Sequence, residues 1–89
     1  MAKKRRKLNK DFERKIYSSK KNVELVLAKI YDIDDEDIQK EYISAFNNVV
    51  YLHDELKKDY ELEGFSDNSE ELLTNYKNAF NLFESEFEI

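Results

Sequence analysis

His53 is the single histidine of the 89-residue sequence, and its imidazole is the one side chain whose unperturbed pKa lies near neutrality, so a general base or a pH switch would be built on it. Neither role finds a partner. The chain has no cysteine, and no serine is placed to act as its nucleophile, so His53 is expected to pack at the edge of a helix's apolar face. The acidic run Asp32-Ile33-Asp34-Asp35-Glu36-Asp37 has the composition of a calcium loop. A loop begun at Asp32 would need Gly at 37 and Glu at 43, where the sequence has Asp37 and Ile43, so these carboxylates are expected to cap a helix instead. Phosphate cradles, dinucleotide fingerprints and nucleophile elbows all require glycines, and the sequence has one. The residue types therefore point away from an enzyme, with no metal and no cofactor expected.

What remains is electrostatic. Lys3, Lys4, Arg5, Arg6 and Lys7 form a basic arm that continues onto a first helix as Lys10, Arg14 and Lys21, on a face shared with Tyr17. Such a track neutralises phosphates and Tyr17 stacks on a base or sugar, so nucleic acid is one candidate ligand; a flexible solubilising tail is the bland account of the same arm. The formal net charge of −5 conceals this polarity, because residues 1–22 sum to +8, residues 23–53 to −5 and residues 54–89 to −8.

These side chains must be positioned by helices. With one Gly and no Pro, the chain lacks the punctuation that strands and hairpins use, and 40% hydrophobic residues suffice for one modest core. No apolar run approaches a membrane span, and the charged start has no secretory apolar region, so a cytoplasmic protein is expected. Phe12, Ile16, Ser19, Val23, Val26, Leu27 and Ile30 recur at steps of three and four and predict a first helix over about residues 9–31. Ser18, Ser19 and Asn22 compete for backbone hydrogen bonds and predict a bend or restart near residue 20.

Asp34 is expected to cap a second helix over residues 34–62, with Ile33 and Ile38 as a hydrophobic staple. Its buried face should hold Ile38, Tyr42, Ala45, Phe46, Val49, Leu52, His53, Leu56 and Tyr60. Residues 63–68 read as a connection with Gly64 just past the helix end, and Asp67 or Ser69 as the cap of a third helix. There Leu72, Tyr76, Ala79, Phe80, Phe83 and Phe87 share one face. The sequence thus predicts an all-α fold, a small three-helix up-down-up bundle over residues 9–89 preceded by a basic N-terminal arm over residues 1–8 for which disorder is one expectation.

That topology gathers charge at both ends. One end would hold the arm beside Glu61, Glu63, Asp67, Glu70 and Glu71; the other would hold Asp32, Asp34, Asp35, Glu36, Asp37, Glu84, Glu86 and Glu88 with only Lys29 and Lys40 nearby. An acidic surface of this kind fits a non-enzymatic protein that docks a basic protein partner, as small inhibitors, immunity proteins, antitoxins and nucleic-acid mimics do. The alternative is a nucleic-acid-associated factor acting through the arm and the Tyr17 track, and a homo-oligomer buried on Ile43, Val50, Leu73 and Leu82 is a third expectation. A helical composition rich in Lys, Asn, Glu, Ile, Tyr and Phe is that of many A/T-rich bacterial, plasmid and phage accessory proteins.

Overall fold

Asn9 opens the first helix: its side chain accepts from the Phe12 amide at 3.0 Å and satisfies one of the four amides that a helix start leaves unpaired. In this computed structural model, which describes residues 7–88, that helix is α1 (Lys10–Tyr31), followed by α2 (Glu36–Glu63) and α3 (Asp67–Glu86). The three helices form the expected up-down-up bundle, about 55 Å in its longest dimension. Among the described residues there is no strand, only an isolated main-chain bridge between Lys7 and Gly64.

α1 runs through residue 20 without a break. The Ser19 hydroxyl donates to the Lys15 carbonyl at 2.8 Å, so the competition that predicts a bend is absorbed inside the helix, one turn back. The start of α2 differs by one residue from expectation. Asp35, not Asp34, is the cap, accepting from the amides of Asp37 at 2.9 Å and Ile38 at 3.1 Å. With that frame Ile38 stands 44% exposed, so it neither staples to Ile33 nor joins the core. Gln39 supplies the link instead: its Nε2 donates to the carbonyls of Ile30 (3.3 Å), Tyr31 (3.1 Å) and Ile33 (3.4 Å), tying the orphaned end of α1 to the second turn of α2.

Neither Asp67 nor Ser69 caps α3. Ser66 does, accepting from the Ser69 amide at 3.2 Å while the Ser69 hydroxyl accepts from the Ser66 amide at 2.8 Å. A serine here does the work usually given to Glu or Gln, and it can do so because Ser69 is fully buried. The buried arc of α3 is correspondingly turned toward Phe12 and Phe65 at the start of the bundle, so Leu73 is core at 6% exposure while Leu72, Ala79, Phe80 and Phe87 are only partly covered. Of the four residues expected to offer a self-association surface, Leu73 is buried, Ile43 and Val50 pack partly buried against the core, and Leu82 is exposed.

The core is built around α2, whose Phe46, Val49 and Leu56 are buried with Ile30 of α1. The Phe46 ring lies 4.8 Å from that of Phe83 and 6.1 Å from that of Phe80. α2 packs along both neighbours, whereas α1 and α3 share few close backbone approaches and are joined by the Tyr76 hydroxyl, which donates to the Ser19 carbonyl at 3.3 Å.

Candidate functional site

Two charged surfaces occupy the two ends of the bundle. At the far end, the α1–α2 turn meets the close of α3 through aromatic rings, with Tyr42 of α2 4.9 Å from Phe87 and Phe87 stacked on Phe83 at 5.0 Å. This packing places Asp32, Asp34, Asp35, Glu36 and Asp37 at the same end as Glu84, Glu86 and Glu88, and all eight are exposed. Asp35 is occupied in capping α2. The other seven carboxylates make no ion pair or hydrogen bond through their side chains among the described residues.

Between α1 and α3 this end opens into a depression of about 590 Å³ lined by Val26, Lys29, Phe83, Glu84, Phe87 and Glu88. Its floor is apolar and its rim is charged, a combination that reasoning from charge alone does not supply. The spacing does carry a signal: Phe83 and Phe87, then Glu84 and Glu88, are i,i+4 pairs that put an aromatic and an acidic row side by side at the close of α3.

At the opposite end Lys7 is fixed to the α2–α3 turn. The Phe65 amide donates to the Lys7 carbonyl at 2.6 Å, and the Lys7 ammonium lies 5.9 Å from the centre of the Phe65 ring. Tyr60, 8% exposed, joins the helices: its hydroxyl accepts from the Asn9 amide at 3.1 Å and donates to Glu13 Oε2 at 2.6 Å. Lys10, Arg14, Tyr17 and Lys21 are all exposed on α1, and the Lys21 ammonium sits 5.2 Å from the centre of the Tyr17 ring. Arg14 pairs with Asp11 at 3.8 Å in an exposed contact of little energetic weight. Lys3, Lys4, Arg5 and Arg6 lie outside the described residues.

His53 belongs to neither surface. It is 4% exposed, on the buried face of α2 as its spacing predicts, with Nε2 donating to the Ile16 carbonyl at 3.4 Å and its ring 5.2 Å from that of Tyr76. Burial, above all, with Lys57 and Lys20 adding to it, pulls its pKa below the ordinary 6.5 against the opposing pull of the Ile16 carbonyl and Asp54. A lowered folded pKa means that the neutral ring stabilises the fold fully above pH 6.5 and that this contribution is lost as pH falls below it. The expected result is a steeper loss of unfolding free energy below pH 6.5 in the native protein than in His53→Leu, measured by urea titrations over about pH 5 to 8. Parallel pH profiles would refute it.

Among the described residues no group of three or more His, Cys, Asp or Glu side chains is arranged to hold a metal ion, and no helix is long and apolar enough to cross a membrane. Compared with protein-family models, with curated proteins and with solved structures, the chain matches none.

Proposed function

We propose that this is a non-enzymatic, cytoplasmic binding protein whose anionic pole docks a basic protein partner, in the manner of an inhibitor, immunity protein, antitoxin or nucleic-acid mimic. The observation that supports it most is the set of seven unpartnered, exposed carboxylates at one end of the bundle, two of which, Glu84 and Glu88, line an apolar-floored depression with Lys29. Capping accounts for Asp35. It does not account for Glu84, Glu86 and Glu88, which lie at or beyond the C-terminus of α3, where the helix dipole disfavours negative charge. Docking surfaces carry such costs because charge acts on the encounter rate.

Replacing Glu84, Glu86 and Glu88 together by Gln is expected to leave stability unchanged or raised, and to slow association with a basic partner recovered from the host by about tenfold at low ionic strength. A biosensor on-rate that does not change at low salt would exclude the pole.

A second function is favoured by one feature of α1. Lys21 over Tyr17, flanked by Arg14 and Lys10, presents a cation and a stacking ring together, and Tyr17 is separated from Asp32 by about 22 Å of helix, more than two Debye lengths at physiological salt. If nucleic acid binds there, anisotropy of a labelled single strand should show affinity falling steeply with salt and lost on deleting residues 1–6 or on Tyr17→Ala. Salt-insensitive binding would dispose of it.

A further inference from the structure

The depression at the anionic pole is the end of a longer feature. Near the start of α3, Phe12, Phe65 and Leu73 floor a second depression of about 400 Å³ whose rims carry Lys15 and Lys77 together with Asp11 and Glu70. Halfway along, Ser19, Tyr76 and Phe80 floor a third of about 290 Å³ between Asn22 and Asn81. Neighbours share lining residues. A shallow saddle at Ser18 has Lys15 and Lys77 in common with the first of these and Asn22 with the second, and Glu84 joins the second to the depression at the pole. They make one surface channel along the seam where α1 and α3 share few close backbone approaches, its floor closed at mid-length by the Tyr76 hydroxyl donating to the Ser19 carbonyl at 3.3 Å. From Phe12 to Lys29 it runs about 25 Å, or roughly five helical turns.

Both walls are helices pointing the same way, and both rest on α2 at their backs. The side opposite α2 is the place a fourth helix takes in an up-down-up-down bundle. We propose that the channel seats an amphipathic helix of the partner protein, running antiparallel to α1 and α3 with its N-terminus at the anionic pole. This specifies the docking element of the proposed partner and rests on that function. Charge along the channel sets the direction. The pole combines the C-termini of α1 and α3 with Glu84 and Glu88, so it receives the positive end of the occupant's dipole and basic residues just ahead of its first turn. At the Ser18 saddle further down, Arg14, Lys15 and Lys77 stand without an acidic lining residue and call for an acidic side chain about three turns into the occupant. Partly covered Phe80 and Phe87 supply the apolar contacts.

The test uses the full chain and three synthetic 20-residue peptides of one composition: one with apolar residues at helical spacing, two arginines at its start and a glutamate in the third turn; one scrambled; one with the charges exchanged end for end. Fluorescence anisotropy should give the patterned peptide an affinity at least tenfold above the scrambled one, with the charge-exchanged peptide in between. Amide shifts should cluster at Asn22, Lys77 and Asn81. Asn22→Trp should fill the channel and weaken the patterned peptide at least tenfold, and Asn81→Trp serves the same purpose should the first variant unfold. Equal affinity for patterned and scrambled peptides, or shifts confined to other faces, overturns the proposal. Concentration-dependent dimers in sedimentation that Asn22→Trp abolishes would also overturn it, by giving the channel to a second copy. Pattern preference that survives in the triple Glu→Gln protein would keep the channel and overturn the pole, whereas lost preference in the native protein sinks the channel whatever the pole does.

Discussion

Phe46→Ala is expected to lower the unfolding free energy by about 3–5 kcal/mol, the largest effect of any single substitution considered for this chain. Phe46 has no exposed surface, and its ring contacts those of Phe80 and Phe83, so the phenyl removed leaves a cavity between α2 and α3 that rigid helices close only in part. The cost combines lost burial with that residual void. Urea unfolding followed by circular dichroism measures it, and a single cooperative transition with an unchanged slope is the condition for reading the difference as stability. Phe80→Ala is the internal comparison, because Phe80 is only partly covered at the α1–α3 seam and should cost less. Equal losses at the two positions would mean that the seam is as tightly closed as the core.

Gly64→Ala should cost about 1–3 kcal/mol through the backbone. Gly64 has φ 79° and ψ −160°, a combination outside the ordinary left-handed helical basin and open to glycine almost alone. It is also buried, with its amide donating to the Tyr60 carbonyl at 2.9 Å and its main chain bridged to Lys7. A β-carbon there meets strain and crowding together. Asparagine, which tolerates the left-handed basin elsewhere, should give no relief, so Gly64→Asn is expected to be at least as destabilised as Gly64→Ala by thermal and urea unfolding. Native-like stability of the Asn variant would contradict the observed ψ.

How far the sequence foretells this structure follows from which forces act over what range. The stripe from Phe12 to Ile30 and the stretch from Phe46 to Tyr60 are periodic over several turns, and periodicity of that length settles helix identity and the buried face. Caps are decided by one hydrogen bond. Asp34 and Asp35 are chemically identical neighbours, and only the path of the turn, held by Gln39, selects the second. Gln39 itself gives no periodic signal, because its role is to meet carbonyls of another helix. Ser66 with Ser69 escapes for a related reason, since the capping box is sought as an acid or amide three residues on and here a buried hydroxyl fills that place.

For the candidate site, the split of charge between the ends follows from topology and sequence sums, and the exposed Lys10, Arg14, Tyr17 and Lys21 lie where helical geometry puts them. The burial of Leu73 depends on how far α3 rotates about its axis, a quantity set by side chains of its neighbours. The α1–α3 channel depends on the spacing between helices, and no residue pattern within either one encodes it.

The loose seam has a consequence for motion. α1 is held by α2, including the Tyr60 hydroxyl and Gln39, and by one buried hydrogen bond from Tyr76 of α3, whereas α2 and α3 share the densest packing of the molecule. Free energies of opening are set by the contacts each segment must give up, so α1 forms a cooperative unit of its own, less protected against amide exchange than the α2–α3 hairpin. The first excursion from the native state is then a release of α1 that leaves the Phe46, Phe80 and Phe83 cluster folded, and the chain breathes by widening the seam without melting its aromatic centre.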